Sequence, residues 1–358
     1  MSKILTVDIG AGTMDVLYYN TSSGMHYKSV VKSPLLSIAE RVSKIKGKLL
    51  IIGNEMGGGA VSQVLKDRAQ ENEVVVSESA AKTVHHSLDR VRSFGIQVVE
   101  NQVAHKMAQT NEYNILTFCD LEVERLKQIV RGFDVPFSFD IIGICAQDHG
   151  VAPEGVSHLD YRHTIFEKLL TINPFPHALL YKDDEVPETM NRLRCIAQSA
   201  SILDSGEVYV MDSGMAAILG ASMDPRSRQK SRLLVMDIAT SHTVGAALQN
   251  GELNGFFEYH TKDIALEHLE TLLRKLADGD LEHKQILSEG GHGAYIRKAF
   301  GFKNTEIIIA TGPKRKLIDH SSMPFLLGAP LGDNMMTGTV GLLEAIRRRK
   351  QLELISYS

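Results

Sequence analysis

Cysteine is scarce in this 358-residue sequence: there are only three. Cys119, Cys145 and Cys195 lie 26 and 50 residues apart, which is not the ligand spacing of a zinc or iron–sulfur site within one subunit. Their odd number also argues against a disulfide framework. Cys119 and Cys145 fall in apolar, strand-like runs, so buried thiols are expected there. Long hydrophobic runs are missing too. No apolar stretch reaches membrane-spanning length, and the first residues show no cationic segment leading into an apolar core. A cytoplasmic protein with no membrane partner is the expectation. Basic excess is the third absence: a net charge of −4 and a pI near 6.4 exclude the broad basic face of a general nucleic-acid binder. Lys314-Arg315-Lys316 and Arg347-Arg348-Arg349-Lys350 are local runs, and the second reads as a helix C-terminus whose charges suit the dipole.

What is present is a hydrophobic content of 43% with 23% charged residues, the balance of a soluble globular chain with ample core. The length predicts two domains or one large one. Strand and helix patterns alternate along the chain, which is α/β organisation. The first stretch of interest is 3–20. An apolar run rising to Asp8 reads as a buried strand, and Val16 to Tyr19 as its hairpin partner. Gly10-Ala11-Gly12-Thr13 lies between them, a turn whose backbone N–H groups can cradle phosphate oxygens. Asp8 at the strand tip suits the water shell of Mg²⁺.

Further strands are expected near 25–32, 48–53, 73–77, 95–100, 114–119 and 139–145, with helices near 37–46, 60–70, 79–92 and 121–132. Gly57-Gly58-Gly59 precedes the helix at Ala60 and reads as a tight strand-to-helix connection rather than an anion site. Gln147 and Asp148 follow the strand ending at Cys145, where α/β proteins bind ligands. Either residue can position or deprotonate a water there, or the pair is simply a polar strand exit. Residues 151–187 look like a long loop with one helix at 162–171. Asp212 to Gly220 opens a helix of small residues that suits close packing between two domains.

The run Leu233 to Leu248 then repeats the opening pattern: an apolar strand, Asp237, a turn of Ala239-Thr240-Ser241-His242, and a second strand. An internal repeat implies two similar lobes whose hairpins clamp one ligand. Helices near 262–277 and 282–288 follow, then Gly290-Gly291-His292-Gly293, where His292 reads as a turn residue. A buried strand at 305–310 leads into Thr311-Gly312-Pro313-Lys314-Arg315, and a last helix covers 334–350 with Thr337, Gly338, Thr339 and Gly341 early in it.

Five motifs in this order resemble those of the actin, heat-shock chaperone and sugar-kinase ATPase superfamily. Asp8 to Asp15 is similar to its first phosphate motif, Asp237 to Thr243 to its second, and 310–315 to its adenosine motif. Residues 212–220 and 334–349 are similar to its two connecting helices. The resemblance implies two ribonuclease-H-like lobes, each a mixed five-stranded sheet with helices, around a nucleotide cleft. The first lobe would span 1–212 plus 336–358 and the second 213–335. It implies ATP and Mg²⁺ as cofactors. Asp8 and Asp237 would hold the ion mostly through water. Gly10, Ala11, Gly12, Thr13, Thr240, Ser241 and His242 would contact phosphates, and Thr311, Gly312 and Lys314 the rest of the nucleotide. Gln147 or Asp148 would orient the attacking water. Within the superfamily the chain looks closest to a group labelled as pyruvate-formate-lyase-activating. Radical activation needs a clustered Cys-x3-Cys-x2-Cys, which this sequence lacks.

The second turn lacks the glycines of the first, and Pro313 removes a backbone donor. Three functions therefore stand. One is a slow Mg-ATPase whose lobe closure acts on a client enzyme. The second is a small-molecule kinase with Asp148 as base. The third is a nucleotide-binding protein without turnover. The oligomeric state is left open.

Overall fold

The computed structural model describes residues 2–358. The chain begins with strands β1 (Lys3–Ile9), β2 (Thr13–Asn20) and β3 (His26–Lys32), an antiparallel meander. Helix α1 (Pro34–Lys44) follows, with Pro34 at its first position and the Ser33 hydroxyl accepting from the Leu35 N–H at 3.2 Å. Then come β4 (Leu49–Gly53), α2 (Ala60–Ala69), β5 (Val74–Ser77), α3 (Glu78–Ala81), α4 (Leu88–Ser93), β6 (Gln97–Val99), α5 (Asn101–Met107) and β7 (Asn114–Phe118). These four strands form a parallel sheet of their own, in the order β6-β5-β4-β7. Helix α6 (Val123–Gly132) leads back to β8 (Phe139–Ala146), followed by α7 (His158–Ile172), β9 (Leu180–Lys182), α8 (Asn191–Ala200) and β10 (Ser205–Asp212).

The second part repeats the first. After α9 (Ser213–Ala221) come β11 (Arg232–Ile238), β12 (His242–Gln249), β13 (Glu252–His260), α10 (Leu266–Asp278), α11 (His283–Ser288), β14 (Gly293–Ile296), β15 (Ile307–Thr311), β16 (Phe325–Leu327) and α12 (Thr337–Lys350). The first large sheet has the order β3-β2-β1-β8-β10-β9 and the second β14-β13-β12-β11-β15-β16. In each, three antiparallel strands continue into two parallel ones, so five strands correspond one to one. This is a duplicated ribonuclease-H-like topology, the actin-like ATPase fold. Both sheets carry six strands rather than the expected five: β9 and β14 are added at the edges. The first also carries the inserted parallel sheet.

The two central helices explain how the halves meet. Every residue of α9 from Met215 to Ala221 is buried, as is every residue of α12 from Thr337 to Ile346. Helix α12 packs on β1 and β8, while α9 packs on β11 and β12, and the helices cross each other. A β-carbon on Gly220 would overlap the Thr337 carbonyl, and one on Gly341 would overlap that of Ala216. Only glycine permits that backbone-to-backbone approach.

Local departures have plain causes. The helix expected over 79–92 is two short pieces, because Ser87 caps a new start by accepting from the Arg90 N–H. The helix in the 151–187 segment starts at His158 rather than 162 and is followed by the edge strand β9. Helix α5 and strands β14 and β16 are too short to leave a periodic signal. No helix among the described residues is long and apolar enough to cross a membrane.

Candidate functional site

A cavity of about 600 Å³ lies between the two hairpins and the starts of the central helices. The β1–β2 and β11–β12 turns that line it have the same hydrogen bond: Gly10 N–H to Thr13 O at 3.0 Å, and Ala239 N–H to His242 O at 3.1 Å. In each turn the next two N–H groups, of Ala11 and Gly12 and of Thr240 and Ser241, have no acceptor among the described residues. Paired free amides of this kind are an anion nest. The turns also touch. A β-carbon on Gly12 would lie 2.8 Å from Thr240 Cγ2, so the Thr240 side chain fills the space that Gly12 leaves.

Asp8 and Asp237 occupy equivalent positions on β1 and β11, and both line the cavity. Burial pushes the Asp8 carboxyl up to about 7, with the Cys145 thiol opposing and Asp237 adding to the shift. Burial likewise pushes Asp237 up to about 6 against a hydrogen bond from Thr311 Oγ1 at 2.9 Å. Asp15, directly opposite Asp8 in the β1–β2 register, is raised to about 8 by burial and by the Asp8 charge. Its Oδ1 is buried without a partner. These carboxyls crowd together without cations on them, a donor set that suits a divalent ion.

The strand exit after β8 separates its two polar residues. The Gln147 amide donates to Glu258 on β13, and the Gln147 carbonyl accepts from Arg192 Nη1 at 2.7 Å. Asp148 is buried, and both of its oxygens accept backbone N–H groups, from Gly150 at 2.8 Å and Leu193 at 3.0 Å. It thereby clamps the start of α8 to the strand exit while still lining the cavity. Burial raises it to about 6.

The adenosine-like segment also divides. Gly312 and Pro313 line the cavity, and Gly312 adopts φ +90° against Ile238 and Asp237. Thr311 is fully buried, donating to Asp237 and to the Met236 carbonyl. It holds the Asp237 carboxylate and lies outside the cavity lining. Lys314 is exposed and lies outside the cavity lining, so the structure does not place it on a ligand in the cleft. The Gly57-Gly58-Gly59 segment forms one wall. β-Carbons at Gly57 and Gly58 would strike Arg192 and the Thr83 carbonyl, so tight packing accounts for these two glycines.

Several polar residues in and behind the cavity wall carry no motif in the sequence. Arg162 on α7 bridges Glu258 (2.6 Å) and Asp212 (3.0 Å), all three buried. Burial opposes both charges, but the pairing wins: Arg162 is held above its ordinary pKa and Glu258 well below. Arg192 makes a two-pronged contact with Asp120 at 2.8 and 2.9 Å. His242, expected at the second turn, lies beside His260 and His292. Burial lowers His242 to about 4 and nearby His149 to about 3, so both are neutral at pH 7. The one available signal was Glu258-Tyr259-His260, whose alternation places the carboxylate and imidazole on one face of a strand.

A family model described as "Putative pyruvate format-lyase activating enzyme (DUF1786)" matches residues 56–317. No curated protein matches the chain. Among solved structures, the chain is similar to the apo psk41 ParM protein, with 13% identity, 98% of each chain covered and a TM-score of 0.33. It is similar to a ROK hexokinase from Thermus thermophilus, with 11% identity, 97% of this chain and 99% of that one covered, and a TM-score of 0.31. A third is the activator of 2-hydroxyisocaproyl-CoA dehydratase from Clostridium difficile, with 8% identity, 99% of each chain covered and a TM-score of 0.32.

Proposed function

The chain belongs to the DUF1786 family, and from that premise and the cleft geometry we propose a magnesium-dependent ATP-binding protein, a slow ATPase whose closure acts on a partner protein. The observation that carries this reading is the pairing of Asp8 with Asp237. Two copies of one hairpin each bring an aspartate and two free amides to the same cavity. The lobes would be 1–212 with 336–358, and 213–335, joined through α9 and α12.

The donor set fits Mg²⁺, since buried carboxyls with raised pKa values lack cationic partners. Asp8 and Asp237 would hold the ion chiefly through its waters, and the ion would neutralise phosphate charge. Ala11, Gly12, Thr240 and Ser241 would bind phosphate oxygens through their N–H groups, with Thr13 beside them. Gly312 and Pro313 would flank the adenosine side. Gln147, fixed by Glu258 and Arg192, would orient a water. Because Thr240 meets Gly12, entry of a phosphate requires the two turns to part, which supplies a coupling between ligand and lobe position.

The alternative is a small-molecule kinase with Asp148 as base: it lines the cavity, each of its oxygens accepting one backbone N–H. The radical chemistry in the family's label has no support here, because the three thiols sit after β7, on β8 and on α8, all free. A cytoplasmic location and a client enzyme are part of the same proposal.

The test is thermal stability with and without Mg-ATP, with phosphate release followed in parallel and Asp8→Ala and Asp237→Ala as controls. A ligand at ~100 times its Kd adds about 2.7 kcal/mol. Stabilisation with slow release, both lost in the variants, supports the proposal. Stabilisation without release replaces the ATPase by a nucleotide-binding protein or a kinase lacking its acceptor. No shift with any nucleotide overturns it.

A further inference from the structure

Three histidines meet at one end of the cavity because three neighbouring strands place them at one level. His242 is the first residue of β12, and its register partner is His260, the last residue of β13. His292 immediately precedes β14, and its N–H donates to the Glu258 carbonyl at 2.8 Å, which fixes it beside the same strand end. The ring centroids lie 4.3 to 4.6 Å apart. One nitrogen of each ring falls within 4.8 Å of the other two, and His260 Nε2 lies 3.0 Å from His292 Nε2.

We propose that His242, His260 and His292 bind a zinc-class divalent ion, with the fourth position open to a water or an anionic oxygen in the cavity. This site needs no nucleotide and is separate from the aspartate pair.

The spacing supports it. Two nitrogens on one zinc at about 2.0–2.1 Å and a tetrahedral angle lie about 3.3 Å apart. An N–H···N hydrogen bond between His260 and His292 accounts for only one pair. It leaves His242 Nε2 and His292 Nδ1 buried with no hydrogen-bond partner, an uncompensated cost for polar atoms. A metal on the three Nε2 atoms satisfies His242 and leaves His292 Nδ1 to face Glu258 Oε1, 3.5 Å away. A buried carboxylate behind a ligating imidazole fixes its tautomer and raises its basicity. The Glu258 carboxylate is in turn held by Arg162 and Gln147. Three imidazoles without thiolate select zinc and its neighbours over calcium or magnesium. The strand register builds the site before any ion arrives, so little ordering cost remains for binding.

The experiment is a titration of chelator-treated full-length protein with ZnCl₂ in the absence of nucleotide. One equivalent should bind. His242→Asn, His260→Asn and His292→Asn should each weaken binding by more than the about 10–100-fold that an outer-shell partner carries. His163→Asn, at a ring stacked on His283 outside the cavity, should bind as the unaltered protein does. Binding that all four variants share equally overturns the proposal, as does the absence of one tight equivalent. Cobalt(II) gives a reading independent of any variant's folding. An intense visible band from a four-coordinate ion is expected, and a weak six-coordinate spectrum overturns the site. Because no nucleotide is present, failure here leaves the ATPase proposal untouched, and failure there leaves this one standing.

Discussion

Gly338 presses its α-carbon against the Asp8 carboxylate so closely that any β-carbon would overlap Oδ2. The start of α12 thus forms the floor beneath a buried acid whose carboxyl is raised to about 7. Gly338→Ala should displace either the helix start or the carboxylate. We expect a stability loss of about 1–3 kcal/mol by urea denaturation and loss of Mg-dependent ligand stabilisation. An alanine variant with wild-type stability would show that the floor yields, and the contact would then carry no constraint.

The contact between Gly12 and Thr240 predicts coupling across the cleft. Gly12→Ala should push the turns apart and destabilise the unliganded protein. In a Thr240→Gly background the same change should cost less. A double-mutant cycle should therefore return an interaction of about 0.5–3 kcal/mol. Simple additivity would mean that the turns do not touch in solution.

Arg162 bridges two buried carboxylates, so its removal strands both. Arg162→Met should cost about 3–5 kcal/mol, measured by denaturant melts, and Glu258→Gln in the same chain should recover part of it. Recovery matters more than loss, because it separates stranded charge from lost packing. Equal destabilisation with and without Glu258→Gln would remove the electrostatic account.

With divalent ions chelated, stability should fall as pH rises from about 6.5 to 8. Asp8 and Asp15 have folded-state values of about 7 and 8, raised from 3.8. The folded state thus holds protons that the unfolded chain has released, and the stability these two contribute is lost as pH rises from about 4 through 8. Histidines act in the opposite sense. His149 and His242 are lowered to about 3 and 4, and His85, His163, His177 and His260 are also lowered. The unfolded chain takes up protons at these six positions below about 6.5 while the folded state resists, so their contribution falls on acidification and opposes that of the aspartates; above about 6.5 only the aspartates act. Urea melts at pH 6.5, 7.2 and 8 with chelator present check it, and a stability that does not fall over that range would contradict the assignment. Magnesium should flatten the alkaline limb by favouring ionised Asp8.

The parts of the site legible in the sequence were those written in contiguous residues. Asp8 with Gly10 to Thr13, and Asp237 with its turn, announce themselves because a hairpin places its strand tip and its amides within one short segment. The small residues of α9 and α12 were legible for the same reason, since one helical face carries the whole signal. Other features were set by tertiary contacts. Asp148 stood out from its position after a buried strand, but no local pattern showed that α8 arrives from 45 residues away in the chain to donate to its second oxygen. Lys314 followed a motif on paper, yet its side chain leaves the cleft. His292 read as a turn residue because its neighbours are glycines. Only the pairing of β13 with β14 puts it against His260, and no local pattern encodes that pairing. The inserted parallel sheet was visible as strands without a partner assignment, because register and sheet membership are properties of pairs.

The crossing at Gly220 and Gly341 decides what kind of rearrangement the molecule can make. Peptide groups lie against peptide groups there, with no side chains between them to change rotamer and absorb a displacement. Sliding one helix along the other would drive carbonyls into α-carbons, whereas tilting about the point of touch only reseats the flanking residues. The crossing is therefore a fulcrum. The turns at Gly12 and Thr240 meet across the cleft that the two helix starts floor. A tilt at the glycines therefore opens or shuts the contact between those turns, and the smallest residues in the protein set the kind of motion its cleft can make.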